Sequence, residues 1–367
     1  MKSVLRLLII GCFPITGVMY LVSCNVKTAK VALDISAAPF DKLSDYHFFT
    51  GTMSDLKPNA RVVPYDLNTP LFTDYAHKAR FIYIPDGKTA QYDTNTVVQF
   101  PVGSCLIKNF YYPDDFRVKG GKKKIIETRL LVHRADGWEA MVYVWNDDQT
   151  EAMLDNTGEI KTISWTNYDG SHKTDEYVIP NKNQCKGCHW SNTAAITPIG
   201  PKVRNLNRDL NYGDITENEL AHLTKLGMLT GAPSPSEAPK LADWSDSVHY
   251  SLNERARAYL DVNCGHCHNP KGPAYTSGLY LNYDNKSIPN LGFCKPPVAA
   301  GKGTGARLYD IVPGHPDESI LTYRISSVEP GIRMPELGRS MVHAEGVELL
   351  TQWIASMPPS ECKAQNE

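Results

Sequence analysis

Ile125-Ile-Glu-Thr-Arg-Leu-Leu-Val-His133 decides how the first half of the chain is read. A run this rich in β-branched and leucine side chains, with Gly120-Gly121 before it and Asp136-Gly137 after it, reads as a β-strand between two turns. Working outward, Arg80-Phe-Ile-Tyr-Ile-Pro85 and Thr96-Val-Val-Gln-Phe100 have the same character, and Pro85-Asp86-Gly87 and Asp155-Asn-Thr-Gly158 supply further turns. Such runs continue from Val62 to Ile163, with the spacing of an antiparallel sandwich or barrel. Residues 40–178 are therefore expected to form a β-rich domain.

After Ile179-Pro180 the pattern changes. Thr216-Glu-Asn-Glu219 has the spacing of a capping box, which would open a helix carrying Leu220, Leu223, Leu226 and Leu229. Gly231-Ala-Pro-Ser-Pro-Ser-Glu-Ala-Pro239 is dense in breakers and reads as a linker, with a boundary near residue 240. A second capping box, Ser251-Leu-Asn-Glu254, precedes a helix through Tyr259 and Leu260. Val347, Leu350, Trp353, Ile354 and Met357 form the apolar stripe of a closing helix.

Two copies of C-x-x-C-H carry the chemistry, Cys185/Cys188/His189 and Cys264/Cys267/His268. In this motif each thiol adds to one vinyl group of haem, and the adjacent histidine falls beneath the iron, so residue types and spacing are dictated together. Paired C-x-x-C units also match structural zinc sites and redox dithiols. Histidine directly after the second cysteine of both copies favours haem. The cofactors expected are two covalently attached haem c groups, with Cys185, Cys188, Cys264 and Cys267 as attachment points and His189 and His268 as iron ligands.

Arg333-Met334-Pro335 follows the second motif at a distance typical of a cytochrome domain, so Met334 is the expected sixth ligand there. A thioether favours ferrous iron and raises the potential. Met341 and His343 are reserve ligands, and Met334 as plain core filling is the bland alternative. The first motif has no Met-Pro after it. His222, Met228, Met141, Met153 and His133 all remain open as its distal ligand, as does a vacant coordination position.

At the start of the chain, Lys2 and Arg6 precede an apolar run from Leu7 to Val22, the form of an export signal. Leu21-Val22-Ser23-Cys24 resembles a lipobox, so Cys24 is the expected lipidation site and residues 1–24 the lipoprotein signal. An uncleaved membrane anchor is the alternative, and either form places the rest of the chain outside the cytoplasm. In that oxidising compartment Cys294 and Cys362 are the preferred disulfide partners among Cys105, Cys294 and Cys362, with three free thiols the alternative. The composition, 42% hydrophobic and 21% charged with a formal charge of −2, excludes disorder and gives no sign of a nucleic-acid partner. Gly301-Lys-Gly-Thr-Gly305 lacks phosphate-loop spacing, and the basic run from Arg117 to Lys124 reads as a hairpin tip that could steer an acidic partner. No nucleophile elbow, zinc-protease motif or dinucleotide fingerprint is present, so no catalytic residue is assigned.

From about Leu43 to Met357 the chain resembles a family of bacterial di-haem c-type cytochromes of poorly defined role. Val63-Pro-Tyr-Asp-Leu-Asn-Thr-Pro-Leu71, Glu127-Thr-Arg-Leu-Leu131, Ile199-Gly-Pro-Lys202, Ala258-Tyr-Leu-Asp-Val-Asn-Cys264 and Met334-Pro-Glu-Leu-Gly338 carry the resemblance. The C-terminal part separately resembles class I cytochrome c, including Pro313-Gly-His-Pro-Asp-Glu-Ser319 ahead of the methionine. The resemblance implies haem binding and an exported location.

The expected fold class is thus multidomain: an N-terminal antiparallel β domain followed by mainly α, cytochrome c-like haem domains. The expected divisions are 40–178, a first haem-binding segment at 179–232, and a class I-like domain at 240–362. The expected function is electron transfer between extracytoplasmic redox proteins by a membrane-anchored lipoprotein. The rivals are a di-haem peroxidase or dehydrogenase haem subunit with an open first iron, and a β domain that binds a protein or carbohydrate served by the cytochrome.

Overall fold

The computed structural model describes residues 29–94, 97–191 and 195–362; the export signal and Cys24 lie outside them. The strands are β1 (Val62–Tyr65), β2 (His77–Tyr83), β3 (Ala90–Gln91), β4 (Cys105–Pro113), β5 (Lys123–Arg134), β6 (Gly137–Trp145), β7 (Ala152–Asp155), β8 (Glu159–Thr166) and β9 (His172–Ile179). Six of them make one antiparallel sheet in the order β1-β2-β4-β5-β6-β7. Its second half is a plain meander, because the tight turns at Gly120-Gly121 and Asp136-Gly137 return each strand beside its predecessor.

The long central strand β5 is buried on both faces, so its side chains read as continuous apolar sequence rather than as an alternation. One face packs Ile107, Leu130, Val132, Tyr143 and Trp145 against Leu43, Tyr46 and Phe48 of the segment that precedes β1. The opposite face is divided. At one end Ile82, Leu106 and Leu131 meet Val203, Leu206, Leu220 and Leu223. At the other end Phe110, Tyr112 and Ile126 meet Ile163, Trp165 and Tyr177 of the β8-β9 hairpin. The turn into that hairpin needs Gly158: its φ is +81°, and a Cβ there would meet the Ile179 carbonyl at 2.8 Å.

The helices are α1 (Lys182–His189), α2 (Val203–Leu206), α3 (Glu219–Lys225), α4 (Leu252–Asn263), α5 (Ile320–Ile325) and α6 (Ala344–Ala355). The short pairs β10 (Asp209–Asn211) with β11 (Thr216–Asn218), and β12 (Leu229–Thr230) with β3, complete the structure. The Ser251/Glu254 capping box forms and opens α4. Helix α6 packs across α4 through Leu350, Trp353 and Ile354 against Ala256, Tyr259 and Leu260. Cys294 and Cys362 are joined by a disulfide, and Cys105 is a free, buried thiol.

These elements correct the expected fold class. The chain is mostly β, built on the six-stranded antiparallel sheet, and the part after residue 179 is not a mainly α, cytochrome c-like array. No helix among the described residues exceeds twelve residues. Between α4 and α6 the backbone is interrupted at Pro270, Gly272, Pro273, Pro289, Gly292 and Pro296, which remove amide donors or favour non-helical φ, so turns, loops and the short α5 fill the interval. The Thr216/Glu219 box is also corrected. Thr216 lies in β11, the N-cap of α3 is Asn218, and α3 stops at Lys225, leaving Leu226 exposed. Among the described residues no helix is long and apolar enough to cross a membrane.

Candidate functional site

A cavity of about 280 Å³ opens between the divided face of the sheet, α1, and the loop that carries Met334. Helix α1 places Cys185, Cys188 and His189 on one side of the helix, because residues three and four apart share a face. Asn181 caps α1 in a full capping box with Gln184, which fixes its entry direction. Cys185 packs where the two apolar clusters of that sheet face meet, and all three motif residues line the cavity.

The His189 ring is oriented by the backbone. Its Nδ1 lies 2.8 Å from the Thr197 carbonyl, and a carbonyl only accepts, so Nδ1 carries the proton and Nε2 keeps a free lone pair. Burial holds the ring neutral by lowering its pKa to about 4. This second contact is the one that metal-ligating histidines ordinarily make.

The second motif continues from the C-terminus of α4 as a further turn, with the amides of Cys267 and His268 both donating to the Cys264 carbonyl. Cys264 lines the cavity together with Met334 and Pro335; Cys267 and His268 lie outside that lining. His268 is also kept neutral by burial, with the Ser277 hydroxyl 3.4 Å from its Nδ1. The two motifs nevertheless meet. The Cys267 thiol lies 3.9 Å from the Gly187 carbonyl, and its hydrogen bond to Cys188 holds the Cys188 thiol below its ordinary pKa while raising that of Cys267.

Met334 is held by a buried guanidinium. Arg339 donates to the carbonyls of Met334, Met341, Ser327, Ile325 and Arg324, the Met334 contact being 2.8 Å. The same loop is tied to the sheet side. The Asp74 carboxylate accepts from the Ser340 and Met341 amides at 2.8 Å, and Asp175 accepts from the Ser340 hydroxyl. Leu337 rests on α1 so closely that a Cβ at Gly187 would lie 2.7 Å from its Cδ1. His343 stacks on Phe72 and engages the Tyr259 hydroxyl through Nδ1 at 2.8 Å.

The five open candidates for the first motif are occupied elsewhere. His222 stacks on Tyr212 and bonds Glu217, His133 bonds the Phe100 carbonyl, and Met228 is core. Met153 is exposed, and the Met141 sulfur accepts from the Tyr46 hydroxyl in the cluster on the far face of the sheet.

Sequence reasoning missed the cations opposite α1. Arg80, Lys108 and Arg129 all line the cavity. They are direct neighbours on β2, β4 and β5, since Arg80 faces Lys108 and Lys108 faces Arg129. Burial, then Arg80 and Arg129, push the Lys108 ammonium down to about 7. Alternation along each strand was readable, but the register that aligns the three positions was not.

Fit of haem to these residues rests on donor chemistry. One histidine and two thiols three apart on a helix line a common cavity, with Met334 also in its lining. Among the described residues no group of three or more His, Cys, Asp or Glu side chains is arranged to hold a metal ion alone. Porphyrin iron needs only one or two protein atoms. No family model, curated protein or solved structure matches the chain.

Proposed function

We propose that this protein is an exported di-haem c-type cytochrome that passes electrons between extracytoplasmic redox proteins, anchored to a membrane through lipid at Cys24. The observation that carries the reading is the meeting of the two C-x-x-C-H motifs, where the Cys267 thiol reaches the Gly187 carbonyl at 3.9 Å, beside a cavity lined by His189, whose Nδ1 is engaged by the Thr197 carbonyl. Haem, when bound, supplies one-electron chemistry between ferric and ferrous iron. The chain's own residues do the rest. Cys185 and Cys188 would tether the first group and His189 ligate it; Cys264, Cys267, His268 and Met334 would do the same for the second.

Contact between the motifs supports direct exchange between the two centres, because groups tethered at Cys188 and Cys267 would be held close together. The Thr197 carbonyl fixes the His189 ring and raises its basicity as a ligand. Arg339 and Asp74 hold the methionine loop against the sheet, which would keep Met334 positioned as a ligand. Leu106 and Leu131, both buried, and Ile199 give the cavity part of its apolar wall.

One observation favours a second reading, a peroxide-reacting first centre: His222, His133, Met228 and Met153 do not line the cavity, and Met141, which does, has its sulfur engaged by the Tyr46 hydroxyl. Expression with a haem-attachment system, haem counting by mass, and ferric spectra decide between them. Two covalent haems, both low-spin and inert to peroxide, are expected of the carrier. A high-spin, peroxide-reactive centre makes the enzyme reading correct, and a chain without covalent haem refutes both. Loss of the methionine-iron charge-transfer band in Met334→Ala tests the second site separately.

A further inference from the structure

The inner face of the sheet carries a row of three cations, with apolar side chains on one side of it and Lys78, Phe110 and Glu127 on the other. Ile82, Leu106 and Leu131 lie two residues along from Arg80, Lys108 and Arg129 on one side, and Phe110 lies two residues along from Lys108 on the other. Like charges directly opposite on adjacent strands are an unfavourable pairing. Two members have counter-ions: Arg80 pairs with Asp66 at 2.6 Å and Arg129 with Glu127. Lys108 and Lys78, which flank the Phe110 ring at 4.9 and 6.0 Å, have no carboxylate within ion-pair distance among the described residues. Both lysine amines, half-buried, are therefore left without an anion.

We propose that Arg80, Lys108 and Arg129, backed by Lys78, form a binding wall for a ligand bearing two carboxylates. Resting on the di-haem reading, these are the propionates of the haem tethered at Cys185 and Cys188. Three features agree. The wall lines the same cavity as Cys185, Cys188 and His189, so a group tethered there is confined against it. Carboxylates placed there supply the anion that Lys108 lacks. Guanidinium groups already fixed by Asp66 and Glu127 lose little freedom on accepting a further carboxylate.

The test uses the full chain with Lys108→Met and Lys108→Arg, since Lys108 bonds none of the attaching cysteines. Haem is counted by mass, and both reduction potentials and the ferric spectra are recorded. The expected result is two haems in each variant, a lower potential for one haem only in K108M, a K108R potential close to the parent, and unchanged axial bands. Unchanged potentials in K108M overturn the proposal while two haems leave the cytochrome reading standing. A spin-state change in K108M makes Lys108 an iron ligand and also overturns it. Should the parent chain carry no haem, the cytochrome reading fails and glutarate becomes the probe. A thermal midpoint raised by glutarate in the parent but not in K108M then upholds the wall as a site for a free dicarboxylate, and no rise in either overturns it.

Discussion

Replacing Arg339 tests the arrangement at Met334 most directly. Its guanidinium reaches five carbonyls, two at the end of α5 and three beyond it, and is itself buried, being only 7% exposed. Arg339→Met keeps much of the aliphatic volume but leaves the carbonyls of Met334, Met341 and Ser327 short of a donor. A hydrogen bond to a charged group contributes about 1.5–3 kcal/mol. Because the contacts share one side chain and are not additive, the expected loss is about 3 kcal/mol rather than their sum. Lysine supplies three donors without the planar fork, so Arg339→Lys should recover roughly half of that. Urea denaturation measures the stability, and the methionine-iron band measures whether Met334 stays in place. The expected outcome is a lower midpoint and a weakened band in R339M, with R339K between it and the parent. If R339M keeps both the midpoint and the band, Arg339 does not hold the loop and the reasoning is wrong. The denaturation arm stands even for a chain without haem.

Other perturbations follow from the same structure. Glu219 is buried, and burial pushes its pKa up to about 9 from an ordinary 4.5. The folded state therefore keeps a proton that the unfolded chain releases, so stability falls as pH rises from about 4.5 to 9, by about 3 kcal/mol at pH 7 at most. Glu219→Gln should flatten that fall, and denaturation series at pH 5 and pH 8 that are parallel for both proteins would rule it out. Reducing the Cys294–Cys362 disulfide, which spans a sequence separation of 68, should cost about 2–4 kcal/mol. An unchanged thermal midpoint in the Cys294→Ser/Cys362→Ser pair would contradict this. Gly346→Ala should destabilise by about 1–3 kcal/mol despite alanine's better helix propensity, because the new Cβ would overlap the Tyr259 hydroxyl and His343. Calorimetry showing a gain would mean that α4 and α6 can separate freely.

Sequence reading was most successful where the physics is local. Ile125–His133 reads as a strand because its neighbours along the chain already exclude a helix, and it lies within β5. Ser251 and Glu254 satisfy each other's orphan amides within one turn, so their box was legible without any tertiary contact. The same local reasoning failed at Thr216, where Asn218 lies closer to the helix and bonds the Leu220 amide instead. It failed again in extending two good helices to a mainly α half. Nothing in a capped helix says how the breaker-rich chain that follows will run.

By itself the sequence determined the strand-forming stretches, the capped helix, and the three-and-four spacing that sets two cysteines and a histidine on one helical face. All of these depend on interactions within a few residues. The tertiary structure alone decided that Arg80, Lys108 and Arg129 stand in one row, that Cys188 meets Cys267, and that Asp74 grips the methionine loop from 266 residues away. These contacts depend on strand register and on where long loops return. Both are set by the burial of whole faces rather than by any residue's neighbours.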